Sequence, residues 1–168
     1  MKYSQAREHI KSGDIIAFTH KAWCSLYDIQ VQAVRVFTKS EYSHVAQVWV
    51  FGDRVFVIEA VEPFVRIVPL SNILELGFYW LPSDTKMGAG ELEYAISQVG
   101  IGAYSKIQAI AAQLDMLKIG ADDKWECAEL VIALRKMSGV NLGNKATPSA
   151  VVQKALENGS TLVFVEKD

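Results

Sequence analysis

The chain has 168 residues, enough for one domain with a substantial core, and 51% of them are hydrophobic against 21% charged. With 17 basic and 19 acidic side chains the formal net charge is −2, which excludes the broad basic field of a nucleic-acid or anionic-membrane binder. Two distant cysteines, Cys24 and Cys127, form neither a disulfide framework nor a zinc-ligand spacing, and nothing in the sequence asks for a metal or cofactor.

No apolar run reaches membrane-spanning length, and Met1 to Gly13 is polar, without the apolar core of a signal peptide. The expected setting is a reducing cytoplasm. Export through a virion or a lysis pore would leave no mark in such a sequence.

Taken in order, Ser4 to Lys11 predicts a short helix stopped by Gly13, and Asp14 to Phe18 a short buried strand. From Thr19 to Phe37, the side chains of Trp23, Leu26, Gln30, Val34 and Phe37 lie along one helical stripe. Ser43 to Val50 and Arg54 to Ala60 are strands rich in valine and aromatic residues, and Gly52-Asp53 between them is a hairpin turn. Phe64 to Leu70, bracketed by Pro63 and Pro69, and Phe78 to Leu81 are further strands.

Beyond Pro82 the pattern turns helical. Glu91 to Val99 forms one helix ending at Gly100, and Ser105 caps a second that runs past Ile107 to Leu117. A third carries Cys127, Leu130, Val131 and Leu134 at i, i+3, i+4 and i+7, with Asp122 and Asp123 as N-caps, capping-box spacing from Asp123 to Glu126, and Gly139 as the stop. Thr147-Pro148 opens a fourth through Leu156, and Thr161 to Val165 is a last strand. No linker or repeat divides the chain, so residues 1–168 are expected to form one α+β domain with an antiparallel sheet.

Three residues carry the chemistry. Cys127 at a helix start feels the positive end of the helix dipole, which favours thiolate. His44 opens one strand of the hairpin and Glu59 closes the other. Pairing across Gly52-Asp53 brings His44 opposite Glu59 or its neighbours, where a carboxylate would orient the imidazole. Each has a plainer reading: Cys127 as packing on an apolar helix face, His44 as a strand-start surface residue, Glu59 as a solvated side chain. Cys24 and His20 lie four apart without an acidic partner, and Cys24 reads as a small buried side chain.

Gly13-Asp14-Ile15-Ile16, Tyr42-Ser43-His44-Val45, Val57-Ile58-Glu59-Ala60 and Glu126-Cys127-Ala128-Glu129-Leu130-Val131 together resemble the circularly permuted branch of the NlpC-type, papain-like cysteine hydrolases. The resemblance extends to Gly102-Ala103-Tyr104 and Thr147-Pro148-Ser149. It implies a papain-like α+β fold in which an antiparallel sheet packs against the helix bearing the nucleophile. It implies Cys127 as nucleophile, His44 as general base and then acid, Glu59 as the orienting third member, and Tyr104 near the oxyanion.

Relatives similar to lecithin:retinol acyltransferase carry an Asn-Cys-Glu-His type motif, whereas this chain has Glu126-Cys127-Ala128-Glu129 and no hydrophobic C-terminal anchor. The expected reaction is therefore cleavage of an amide, in a peptide or cell-wall peptide, through a thioester. A lipid thioesterase or acyltransferase and a non-catalytic binding module are the alternatives. The expected partner is a small-molecule, peptide or lipid substrate and not nucleic acid.

Overall fold

Six strands form one sheet in the order β4-β3-β2-β1-β5-β6 in the computed structural model, which describes residues 1–19, 42–74, 77–102 and 125–168. The strands are β1 (Ile15–Phe18), β2 (His44–Phe51), β3 (Arg54–Val61), β4 (Phe64–Pro69), β5 (Phe78–Leu81) and β6 (Val163–Val165). Every neighbouring pair is antiparallel. The helices are α1 (Tyr3–Ala6), α2 (Ala89–Gln98), α3 (Cys127–Met137) and α4 (Pro148–Glu157). No helix among the described residues is long and apolar enough to cross a membrane.

The β2–β3 hairpin closes through the Phe51–Arg54 pair around Gly52-Asp53. Gly52 takes φ 61°, the left-handed conformation that a tight two-residue hairpin turn requires. Arg7 braces the turn, its Nη2 donating to the Asp53 carbonyl at 2.7 Å.

Both faces of the sheet are covered, so its central strands read as apolar runs instead of alternating polar and apolar positions. On one face Ile16, Phe18, Ala46, Val48, Val57, Phe78 and Trp80 pack with Tyr3, Ala6, Ile10 and Leu70. On the other, Ile15, Ala17, Val45 and Leu81 pack with Ala128 and Val131 of α3 and with Val151, Val152 and Ala155 of α4. Ile58, Ala60 and Val65 on that side meet Leu130 and Leu134 of α3. The 3.6-residue stripe of the cysteine helix is thus the face laid on the sheet.

Under α3 a buried polar knot replaces apolar packing. The Asp14 carboxylate accepts from the Trp80 indole at 2.7 Å, the Lys11 amide at 2.8 Å and the Ser83 amide at 2.9 Å. Burial raises the Asp14 pKa above its ordinary value, against those hydrogen bonds. The buried Arg135 guanidinium donates to Ser83 Oγ at 2.8 Å and to the Thr85 carbonyl at 2.9 Å. Gly13 passes beside this knot at φ 105°, and a Cβ there would sit 2.5 Å from the Thr85 carbonyl oxygen.

The outer strands meet backbone from outside the sheet. Beside β6, the Tyr3 amide donates to the Glu166 carbonyl at 2.8 Å and the Glu166 amide to the Met1 carbonyl at 2.9 Å. Beside β4, the Val65 amide donates to the Ile101 carbonyl at 2.9 Å and the Gly100 amide to the Val65 carbonyl at 3.0 Å.

Two expectations are corrected here. The first helix is the four residues of α1, not Ser4 to Lys11. The papain-like, NlpC-type permuted class does not stand as the description of the fold, which is the six-stranded sheet in the order above with its helices. That class rested on motifs a few residues long, and short motifs specify local segments. Strand order, with β1 between β2 and β5 and β6 outermost, comes from long-range packing they do not encode.

Candidate functional site

The site lies where β2 and β3 part. Their ladder is registered from Phe51–Arg54 to Gln47–Ile58 and goes no further. Past that point the Cys127 sulfur lies against the Val45 backbone amide and the His44 ring, close enough for both to lower its pKa. His44 and Glu59, one on each parting strand, bridge the same opening, with His44 Nε2 2.8 Å from Glu59 Oε2. Both side chains are buried, at 8% and 2% exposure. The Phe18 ring stacks on the imidazole at 5.8 Å between centroids and holds its plane.

With Nε2 taken by Glu59, Nδ1 is the ring nitrogen left for the neighbouring Cys127 sulfur. Burial alone would lower the His44 pKa. The Cys127 sulfur, through its charge and hydrogen bond, and then Glu59 outweigh burial and raise it to about 9. For Cys127, burial pushes the thiol up, but the His44 charge and hydrogen bond and the Val45 amide bring it below its ordinary value. Glu59 is also lowered: burial raises it, and His44 and Arg66 more than offset that. The arrangement favours a thiolate against an imidazolium, backed by a carboxylate.

Helix α3 begins at Cys127 itself, with Glu126 as N-cap and the Glu126 amide donating to Glu129 Oε2 at 3.1 Å. Among the described residues the capping box of this helix is Glu126–Glu129. At the first helical position the Cys127 amide has no acceptor within the helix and is available to an oxyanion. Burial first, and then the Glu129 charge, push the Glu126 carboxyl up to about 7. Near neutral pH much of it is uncharged, which relieves the repulsion an ionised Glu126 exerts on the thiolate.

Of the residues singled out in the sequence, His44, Glu59 and Cys127 come together. His20, Cys24 and Tyr104, the stripe from Trp23 to Phe37, the helix past Ile107 to Leu117, and Asp122 and Asp123 lie outside the described residues. Sequence reasoning missed Arg66, directly opposite Glu59 in the β3–β4 ladder. Its Nε and Nη2 reach Glu59 Oε1 at 2.8 and 2.7 Å. Pairing outward from the turn at Glu62-Pro63 would have set a cation beside that carboxylate.

No family model matches the chain, and no curated protein matches it. Among solved structures it is similar to the crystal structure of the metalloprotein YiiX from Escherichia coli O157:H7, DUF1105. The TM-score is 0.56 and the sequence identity 18%, over 94% of this chain and 97% of that one. At that identity the likeness shows the fold alone. It replaces the papain-like class as the description of the architecture.

Proposed function

We propose that the chain is a thiol-dependent hydrolase that opens an amide bond, in a peptide or cell-wall peptide, through a thioester on Cys127. The observation that carries the reading is the convergence of the Cys127 sulfur, the His44 ring and the Glu59 carboxylate at the start of α3. The NlpC-type motif resemblance of the sequence points the same way. The partner is a small-molecule, peptide or lipid substrate, met in a reducing cytoplasm that keeps the thiol free.

In this reading the Cys127 thiolate attacks the carbonyl carbon, and the oxygen becomes an oxyanion facing the Cys127 amide. The C–N bond breaks as the His44 imidazolium gives its proton to the departing amine, leaving a thioester. Neutral His44 then takes a proton from water as that water attacks the thioester carbon. Collapse of this second tetrahedral species releases the carboxylic acid product and restores the thiolate and imidazolium. Glu59 keeps the Nε2 proton in place throughout, so Nδ1 faces the reacting atoms.

YiiX is described as a metalloprotein. Among the described residues no group of three or more His, Cys, Asp or Glu side chains is arranged to hold one. Both Glu59 oxygens and His44 Nε2 already have partners within the His44–Glu59–Arg66 chain. Among the described residues the donors do not fit a metal.

The test is a panel of peptide amides, cell-wall peptides, and acyl esters and thioesters, with intact-mass and peptide mapping for acyl-Cys127. Amide turnover with an acyl adduct on Cys127, both lost in Cys127→Ala, is the expected result. Turnover confined to acyl esters and thioesters would move the reading to a lipid thioesterase or acyltransferase. No turnover and no adduct from any class would make the site a binding pocket.

A further inference from the structure

We propose that Arg66 is a positioning residue that acts on the reaction through Glu59, extending the row of groups behind Cys127 by one; the inference rests on the catalytic reading above. Glu59 gives each of its oxygens a separate partner: Oε2 lies 2.8 Å from His44 Nε2, and Oε1 accepts from Arg66 Nε at 2.8 Å and Nη2 at 2.7 Å. The carboxylate cannot rotate about its last bond without losing both neighbours, so its plane, and the direction of the bond to Nε2, are set from the Arg66 side. Arg66 stands straight across from Glu59 in the ladder, which sets the two side chains on the same face as cross-strand neighbours.

Charge argues in the same direction. The Glu59 side chain is 2% exposed, whereas Arg66 is 41% exposed. An exposed Arg–Glu pair contributes little, but here the carboxylate is fully buried and depends on partners to stay ionised. Without Arg66, Oε1 is a buried acceptor with no donor, and burial favours proton uptake by Glu59. A neutral Glu59 no longer holds a proton on Nε2, so His44 loses both its tautomer and its support as an imidazolium. Arg66 reaches the site through its bonds to Glu59.

The experiment follows iodoacetamide alkylation of Cys127 against pH, read on the Cys127 peptide by mass spectrometry so that Cys24 does not contribute. It compares the unaltered chain with Arg66→Met, Arg66→Lys, Glu59→Gln and the Glu59→Gln/Arg66→Met double variant. Arg66→Met is expected to move the acid step of the profile up by about one pH unit and so to slow alkylation about tenfold on the low-pH side of that step. Arg66→Lys restores most of the rate. In the Glu59→Gln background Arg66→Met adds nothing, because the group it acts through is gone.

Where Arg66→Met does not fold, Arg66→Gln, which keeps a donor for Oε1 but no charge, is read in its place. An Arg66→Met profile lying on that of the unaltered chain, or an equal shift in the Glu59→Gln background, overturns the role of Arg66 while leaving the catalytic reading intact. A profile like that of free cysteine in the unaltered chain overturns the catalytic reading, and this inference with it.

Discussion

His44 and Glu59 meet at 2.8 Å although their strands do not place them face to face. Continuing the Gln47–Ile58 register, Ala46 falls opposite Glu59 and His44 lies two residues further along the same face. The contact is a diagonal one, formed where the ladder has already ended and the strands have room to admit a sulfur. The same parting of β2 and β3 that costs ladder hydrogen bonds therefore creates the place where Cys127, His44 and Glu59 combine.

The thiolate–imidazolium pair has a defined pH window. Cys127 is lowered, so its thiolate forms well below the ordinary cysteine value near 8.5; His44 is raised, so its charge survives up to about 9. Alkylation of Cys127 is expected to begin rising well below pH 8.5 and to step up again near 9, as His44 deprotonates and frees the sulfur. In His44→Ala the burial of the thiol is no longer offset, and a single step at or above pH 8.5 is expected. Stopped-flow alkylation across pH 4 to 10 checks both profiles. A His44→Ala curve that keeps the early step would sever the link between ring and sulfur.

Cys127→Ser is expected to abolish turnover while moving Tm by only a few degrees, because one oxygen for one sulfur changes volume little, a cost of about 1 kcal/mol. Thermal melts and turnover of the same preparations check this. Activity retained by the serine variant would place the nucleophile elsewhere in the chain.

Glu126→Gln tests the carboxyl beside the nucleophile. An ionised Glu126 raises the Cys127 pKa, so removing its charge should shift thiolate formation to lower pH. The difference should show chiefly above about pH 7, where the native Glu126 is charged, and fade below it. Alkylation rates at pH 6 and pH 8 are the measurement, and an equal effect at both would contradict the assignment.

Gly13→Ala is expected to destabilise the fold by at least about 2 kcal/mol, since φ 105° is strained for alanine and the added methyl meets the Thr85 carbonyl and Arg135. Urea unfolding reads the cost directly. A midpoint within error of the unaltered chain would show that the polar knot around Asp14 and Arg135 yields to accommodate it.

The hairpin was legible because Gly52-Asp53 names its own turn, and the turn limits which residues can face one another. The stripe of Cys127, Leu130, Val131 and Leu134 was legible because a surface helix must bury one face. The start of that helix was not. Asp122 and Asp123 have better capping chemistry than Glu126, and apolar periodicity fixes a helix's buried face more firmly than its first residue, here Cys127 behind the Glu126 N-cap. Arg66 escaped notice because a strand pattern says where its side chains alternate, not which neighbour they meet. The buried charges Asp14 and Arg135, on segments otherwise apolar, went unread for the same reason.

The backbone lying along β6 and β4 has a consequence for the protein in concentrated solution. Outer strands ordinarily offer rows of amides and carbonyls on which a strand from another molecule can add. Here Val65 exchanges its pair with Gly100 and Ile101, and Glu166 does so with Met1 and Tyr3. A second molecule could join the sheet at these points only by first stripping away contacts the chain makes with itself, so strand addition is disfavoured there.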